Sequence, residues 1–152
     1  MKGILFILMI GYPVVAFCQR KVENDTVYQS VKLDKNDRIF LALKDSAQKY
    51  LPGFIKRLNS HGKDVDNYRF TIKSDFVENG THEHMWSRVF EFDGTAFKGV
   101  FIDSPFEIHN IKIGDKVSIK SGDVEDWQVE DFKAKTHQGD FSGKYLKSKV
   151  RD

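Results

Sequence analysis

Cysteine and proline are scarce in this chain, and neither sign of charge prevails. Its 152 residues include one cysteine, Cys18, and three prolines, and the formal net charge is +2. One cysteine excludes an intrachain disulfide scaffold, so the fold must rest on its core and its hydrogen bonds. A near-neutral charge provides no long-range attraction for nucleic acid. We therefore expect no nucleic-acid partner.

The common catalytic motifs are also missing. The glycines stand singly at predicted turns or in strands, so none of them forms a phosphate-binding loop. The sequence contains no Gly-x-Ser-x-Gly elbow that would present a nucleophilic serine. These absences make an enzyme the less favoured function class.

A long hydrophobic run is missing too, apart from a short one near the N-terminus. Lys2 is followed by the apolar residues 4–10, a run well short of the roughly 20 residues that span a membrane. This order predicts a signal peptide over residues 1–18, cleaved before Gln19. We expect a periplasmic or secreted protein without a transmembrane span. The alternative is an envelope protein anchored by a lipid on Cys18.

Aromatic residues, in contrast, are abundant. Thirteen Phe, five Tyr and two Trp predict a core built largely of aromatic rings. Residues 19–35 form a polar leader with few anchors, which we expect to add at most one short strand. The remaining residues, 36–152, have the size of a single domain.

An amphipathic helix is predicted at the start of this domain. From Asn36 onward, apolar residues recur three or four positions apart, as on one face of a helix. Pro52 and Gly53 should kink or break this helix before it resumes to about Leu58. The predicted apolar face consists of Ile39, Leu43, Ala47, Tyr50 or Leu51, Phe54 and Leu58.

The pattern then changes to the alternation of strands. Apolar and polar residues alternate from Tyr68 to about Val77, and Asn79-Gly80 predicts a type I′ hairpin into a strand over residues 82–92. Asp93-Gly94 predicts a second hairpin. Further strands are predicted at 95–102, 116–120 and 127–129, with a possible sixth at 141–146. The sequence thus predicts an α+β fold, in which an N-terminal helix kinked at Pro52 packs on an antiparallel sheet of about four to six strands containing a three-strand meander.

The densest group of chemically active side chains is the segment 82–86. His82 and His84 are two apart on a predicted strand and therefore face the same side, so together they can offer two imidazoles to one metal ion. A zinc site needs a third ligand, which no spacing rule identifies. The alternative is structural: His84 and Trp86 pack on one face while His82 is solvated near the turn.

Several short motifs follow one another along the domain. They are Leu51-Pro52-Gly53-Phe54, Phe70-Thr71-Ile72-Lys73, Glu83-His84-Met85-Trp86, Gly99, Ser104-Pro105, Gly114-Asp115-Lys116-Val117, Asp126-Trp127 and Gly143-Lys144-Tyr145. By the order and spacing of these motifs, residues from about Asp37 to Lys147 resemble the uncharacterised bacterial family called domain of unknown function 2314, the YegJ-like proteins. The resemblance implies no established activity, substrate or cofactor, but it draws attention to Glu83, His84, Trp86, Asp126 and Trp127.

Two interpretations of these five residues are open. Burying polar groups is costly unless they are paired, so Glu83 or Asp126 can form an internal network with His84 or an indole N–H. Alternatively, Trp86 and Trp127 form the floor of a pocket for a sugar, a peptide or another small polar ligand.

We expect an exported, non-enzymatic binding or interaction module whose partner is an unknown protein or a small polar ligand, and which holds no cofactor. One alternative is a metal-dependent hydrolase centred on His82 and His84, with zinc or another transition metal. A further alternative is an immunity or inhibitor protein that neutralises a toxin.

Overall fold

A computed structural model of the chain describes residues 37–149. The predicted signal peptide (1–18) and polar leader (19–35) lie outside these residues. Within the described part, one long helix packs on one antiparallel sheet, which confirms the predicted α+β class. No helix in residues 37–149 is long and apolar enough to cross a membrane.

Helix α1 (Arg38–His61) begins at Asp37, whose carboxylate accepts hydrogen bonds from the backbone N–H groups of Ile39 and Phe40. Such a cap satisfies donors that the first turn leaves without partners. One stripe of the helix is buried against the sheet. Its residues are Phe40, Ala47, Leu51, Phe54 and Leu58.

The helix runs without a break through Pro52. Pro52 is exposed, so the carbonyl that loses its intrahelical donor lies where water can replace that bond. Of the two predicted effects of this proline, a kink or a break, the prediction of a break is therefore wrong.

The predicted apolar face of the helix is only partly correct. Ile39 and Tyr50, which the periodicity placed on this face, are 57% and 54% exposed.

The six strands of the described part form one sheet in the order β4-β3-β2-β1-β5-β6. All neighbouring strands are antiparallel, and β1 to β3 form the predicted meander. The strands are β1 (Tyr68–Glu78), β2 (Thr81–Phe92), β3 (Ala96–Phe101), β4 (Lys116–Lys120), β5 (Val124–Asp131) and β6 (Thr136–Gly139).

The two predicted hairpin turns differ in construction. Asn79 and Gly80 both have positive φ, 50° and 83°, as a type I′ turn requires. In the second turn Gly94 has a φ of 95°. Asp93 instead accepts hydrogen bonds from the backbone N–H groups of Thr95 and Ala96, which lower the pKa of its carboxyl to about 2. The second turn is thus closed by the Asp93 side chain together with a backbone bond from the Asp93 N–H to the Ala96 carbonyl, and does not repeat the first.

The C-terminal part departs most from the prediction. Strand β5 begins three residues earlier than predicted and pairs with β1 in the interior of the sheet. The possible strand at 141–146 is wrong, because that segment leads into helix α2 (Gly143–Lys149). A contact distant in sequence fixes this segment: Asp126 accepts hydrogen bonds from the backbone N–H and the hydroxyl of Ser142, just before α2 begins.

The register defines two faces of the sheet, because residues directly opposite each other in an antiparallel pair share a face. The helix face carries Phe70 and Ile72, which pack with Phe54 and Trp127 in the core. Phe54 contacts the rings of Phe70, Phe97 and Trp127, so the core is aromatic as predicted. The opposite face, here called the polar face, consists of Thr71, Lys73 and Asp75 of β1 and Arg88, Trp86 and His84 of β2.

Candidate functional site

Glu83 anchors a loop. Its carboxylate lies on the helix face of β2 and accepts hydrogen bonds from three consecutive backbone N–H groups, those of Phe106, Glu107 and Ile108, at 2.9, 2.5 and 2.8 Å. Burial alone would raise the pKa of Glu83, but these three bonds outweigh it and lower the pKa. Glu83 therefore fixes the connection between β3 and β4 and is not free to act on a ligand.

Asp126 anchors the C-terminal segment in a similar way. This carboxylate is fully buried and accepts hydrogen bonds from the backbone N–H groups of Trp127, Phe141 and Ser142 and from the Ser142 hydroxyl. Burial raises the pKa of Asp126 in spite of these bonds. Its neighbour Trp127 donates its indole N–H to the carbonyl of Ala47 in α1. Both residues are thus held by internal hydrogen bonds, but Asp126 binds backbone N–H groups and Ser142, and not His84 or an indole N–H as in the predicted network.

The two tryptophans lie on opposite faces of the sheet. Trp127 is opposite Ile72 on the helix face, whereas Trp86 is opposite Lys73 on the polar face. The pocket floor built from both indoles, which the sequence left open, is therefore not formed. Trp86 is 7% exposed, and its ring is covered by Lys73, whose Nζ lies 5.1 Å from the ring centroid.

His84 is the candidate residue that reaches both a buried partner and the surface. Its Nδ1 lies 2.5 Å from Oε2 of Glu125, and Lys44 of α1 approaches the other oxygen of that carboxylate at 3.3 Å. The ring of Phe40 contacts the imidazole edge to face, so the N-terminal end of α1 reaches His84 on the polar face. The Glu125 side chain is 5% exposed, but that of His84 is 31% exposed. A buried carboxylate therefore orients a partly exposed imidazole.

Each member of the His84–Glu125 pair stabilises the charged form of the other. The hydrogen bond to Glu125 raises the pKa of His84 above its ordinary value of 6.5, against the opposing effect of burial. Burial alone would raise the pKa of Glu125, yet the His84 bond and charge, helped by Lys44, lower it. The pair therefore favours the imidazolium form of His84 more than a free histidine would.

The two histidines that were predicted to share a metal ion each contact a different carboxylate. His82 lies beside Asp75, with 2.7 Å between Nδ1 and Oδ2, whereas His84 is bound to Glu125. Within residues 37–149 no group of three or more His, Cys, Asp or Glu side chains is arranged to hold a metal ion. The two imidazoles do project from the same strand toward the polar face.

Sequence reasoning missed Lys73, Glu125 and Lys44. For Lys73 a signal existed, because counting back from the two-residue Asn79-Gly80 turn pairs Lys73 with Trp86. For Glu125 no local signal existed. It lies at an irregularity of the β1–β5 register, where Lys73 and Ser74 pair with Asp126 and Val124. Such a bulge re-aims a side chain in a way that sequence alternation does not predict.

Comparison with known proteins places the chain among uncharacterised relatives. It is similar to the protein named "Uncharacterized protein YegJ" of Escherichia coli (strain K12), with 31% identity over 81 residues, 53% of this chain and 50% of the relative. The chain thus spans half the length of that relative. No solved structure matches it. A family profile described as "Uncharacterized protein conserved in bacteria (DUF2314)" matches residues 36–152, so the chain belongs to this bacterial family.

Proposed function

We propose that the protein is an exported, non-enzymatic binding module whose contact surface is the polar face around His84. The observation that supports this most strongly is the His84–Glu125 pair, in which a side chain 5% exposed holds an imidazole that is 31% exposed. A polar group fixed in this way loses little conformational entropy on binding, which favours recognition. In addition, the sequence contains no recognised motif that would place a nucleophile beside the His84–Glu125 pair.

Site-specific photo-crosslinking in cells tests the proposed surface. Val77 lies opposite His82 on the side of the sheet that carries the polar face and is 52% exposed, so a photoreactive residue there disturbs no polar contact. The matched control is Ile113, which is 63% exposed in the loop between β3 and β4. We expect a crosslinked product at position 77 and none at position 113. Equal labelling at both positions, or none at 77, would contradict the proposal.

The non-enzymatic part of the proposal has a separate test. The purified protein is assayed against hydrolase substrates as wild type and as His84→Ala, with circular dichroism as the control for folding. We expect no turnover from either protein. Turnover that disappears in a folded His84→Ala variant would make the protein an enzyme and overturn this part.

Export rests on the N-terminal sequence, and mass spectrometry of the mature protein tests it. A chain that begins at Gln19 supports cleavage and release, and a mass increment on Cys18 supports the lipid-anchored form. An unprocessed N-terminus beginning at Met1 would refute both.

A metal-dependent hydrolase is the second candidate, and one observation favours it. His82 and His84 each direct Nδ1 at a carboxylate, which is the outer-shell arrangement that leaves Nε2 of a histidine available for a metal. Elemental analysis of untagged protein distinguishes the candidates. Stoichiometric zinc that is lost in His82→Ala would favour the hydrolase, whereas its absence would favour the binding module.

A further inference from the structure

The side chain of Lys73 is largely buried although it ends in an ammonium group. Lys73 is 7% exposed and lies over the Trp86 ring, and no residue among 37–149 accepts a hydrogen bond from Nζ. An ammonium carries three donors, and removing them from water without replacement is costly. In the described part, Ser87 Oγ is the unpartnered side-chain atom that solvent does not reach. The Lys73 ammonium therefore keeps some contact with solvent, through which an oxygen can reach it.

The charges around Lys73 restrict what can bind there. Burial lowers the pKa of Lys73, and the carboxylates of Asp126, Asp103, Glu125 and Asp140, in decreasing order, oppose that effect. Four carboxylates thus act electrostatically on one ammonium. An added anion would be repelled by these carboxylates, and the N–H donors of the ammonium need an acceptor oxygen, which a cation does not offer, so the site favours an uncharged ligand oxygen.

These carboxylates do not replace the missing acceptor, because within residues 37–149 none of them forms a hydrogen bond or an ion pair with Lys73, and three of them are engaged by other donors. Asp126 is bound to Ser142, and Glu125 to His84 and Lys44. Asp103 accepts a hydrogen bond from the backbone N–H of Trp86. The nearby carboxylates therefore contribute a negative electrostatic potential at Nζ but no hydrogen bond. A ligand oxygen would supply the acceptor that residues 37–149 do not provide.

His84 supplies a second contact at a fixed distance. Lys73 is opposite Trp86, and Asp75 is opposite His84. Lys73 and His84 are therefore diagonal neighbours on the polar face, with their Cα atoms about 7–8 Å apart. We infer that Lys73 and His84 together bind the hydroxyl or carbonyl oxygens of an uncharged ligand, such as a saccharide or a peptide backbone. This inference rests on the proposed function and specifies the chemical class of its ligand.

Nuclear magnetic resonance of the wild-type chain tests the inference directly. The Lys73 side-chain signal is assigned by its absence in Lys73→Met and followed during titration with N-acetylglucosamine, with a blocked glycine peptide and with acetate. We expect a saturable shift of the Lys73 signal with one of the two neutral probes, and none with acetate. The probe that binds identifies the source of the oxygens as saccharide or peptide.

Variants provide the controls. Lys73→Met retains the packing on Trp86 and should weaken binding of the neutral probe about tenfold or more, because a hydrogen bond from a charged donor is lost. Lys98→Met, which alters an exposed lysine paired with Asp93, should leave binding unchanged. No saturable shift with either neutral probe, or a tighter response to acetate, would overturn the inference. Because crosslinking at position 77 does not depend on ligand class, a positive result there would leave the proposed function standing.

Discussion

At the scale of single residues, the His84–Glu125 pair should make the unfolding free energy of the protein depend on pH. Replacing His84 by Gln removes the titrating group while keeping a polar side chain of similar reach. We expect the variant to lose about 1–2 kcal/mol of unfolding free energy where the pair is fully charged, an amount between those of exposed and buried ion pairs. Urea denaturation of both proteins from pH 3 to pH 9 measures this difference.

The sign of each pKa shift sets the pH range. Because the pKa of His84 is raised, its contribution is complete below pH 6.5 and is lost as the pH rises through the raised value. Because the pKa of Glu125 is lowered, its contribution is complete above pH 4.5 and is lost as the pH falls through the lowered value. The stability difference should therefore be largest between pH 4.5 and 6.5. A difference that stays constant from pH 3 to pH 9 would contradict this interpretation.

Ser87 is a residue whose removal should help. Its hydroxyl is fully buried on the helix face and has no hydrogen-bond partner among the described residues. Ser87→Ala removes an unsatisfied group without leaving a large cavity, so unfolding free energy should rise by about 1 kcal/mol. Thermal or urea denaturation measures it. The control is Ser118→Ala, since that exposed hydroxyl accepts a bond from Lys98 and should change little. A destabilised Ser87→Ala would indicate a partner for this hydroxyl.

At the residue scale, the sequence could identify the types of side chain in the candidate site but not their pairing. His84 and Trp86 were placed correctly on one face because alternation and the Asn79-Gly80 turn are local signals. Glu125 could not be assigned to His84, since the contact joins strands that are not adjacent in sequence. Trp127 was grouped with Trp86 although the register places them on opposite faces.

At the scale of elements, the loop between β3 and β4 depends on Glu83. Glu83→Gln retains the shape of the side chain, but it removes the charge and replaces one acceptor by a donor that faces backbone N–H groups. Amide hydrogen exchange at Phe106, Glu107 and Ile108 should accelerate by about tenfold or more, while β1 keeps its protection. Exchange measured by mass spectrometry or nuclear magnetic resonance tests this.

The comparison for Glu83 is Glu78, which also holds this loop but through one bond, to the backbone N–H of His109. Glu78→Gln should therefore affect exchange near position 109 alone and by less. Equal exchange at positions 106–108 in wild type and Glu83→Gln would show that the loop is held by its apolar residues, among them Ile108.

Elements with local signals were predictable, and those decided by distant contacts were not. The meander and β4 follow from alternation and turn residues, and α1 follows from its periodicity and its Asp37 cap. In contrast, the position of β5 between β1 and β6 depends on pairing between residues 50 to 63 positions apart in the chain. Helix α2 begins directly after the Asp126–Ser142 contact, which no pattern within residues 141–149 reveals.

At the scale of the whole molecule, Asp126 connects the middle of the sheet to the end of the chain. It lies on β5 opposite Lys73, and it holds Phe141 and Ser142 at the entry to α2. Tyr145 of α2 in turn binds Asp37, the residue that caps α1. One buried carboxylate therefore links β5 through α2 to the start of α1. Its loss should lower the stability of the whole domain and not of one element alone.

Asp126→Ala should lower the unfolding free energy of the whole domain by about 2–4 kcal/mol, because it strands several buried donors at once. Ser142→Ala removes one of those donors and should cost about 1 kcal/mol. Denaturation followed by both tryptophan fluorescence and circular dichroism measures the two losses, and coincident transitions would show that the domain responds as one unit. If Asp126→Ala unfolds like wild type, or if α2 is lost while the sheet keeps its stability, the C-terminal segment is an appendage and Asp126 is not the link.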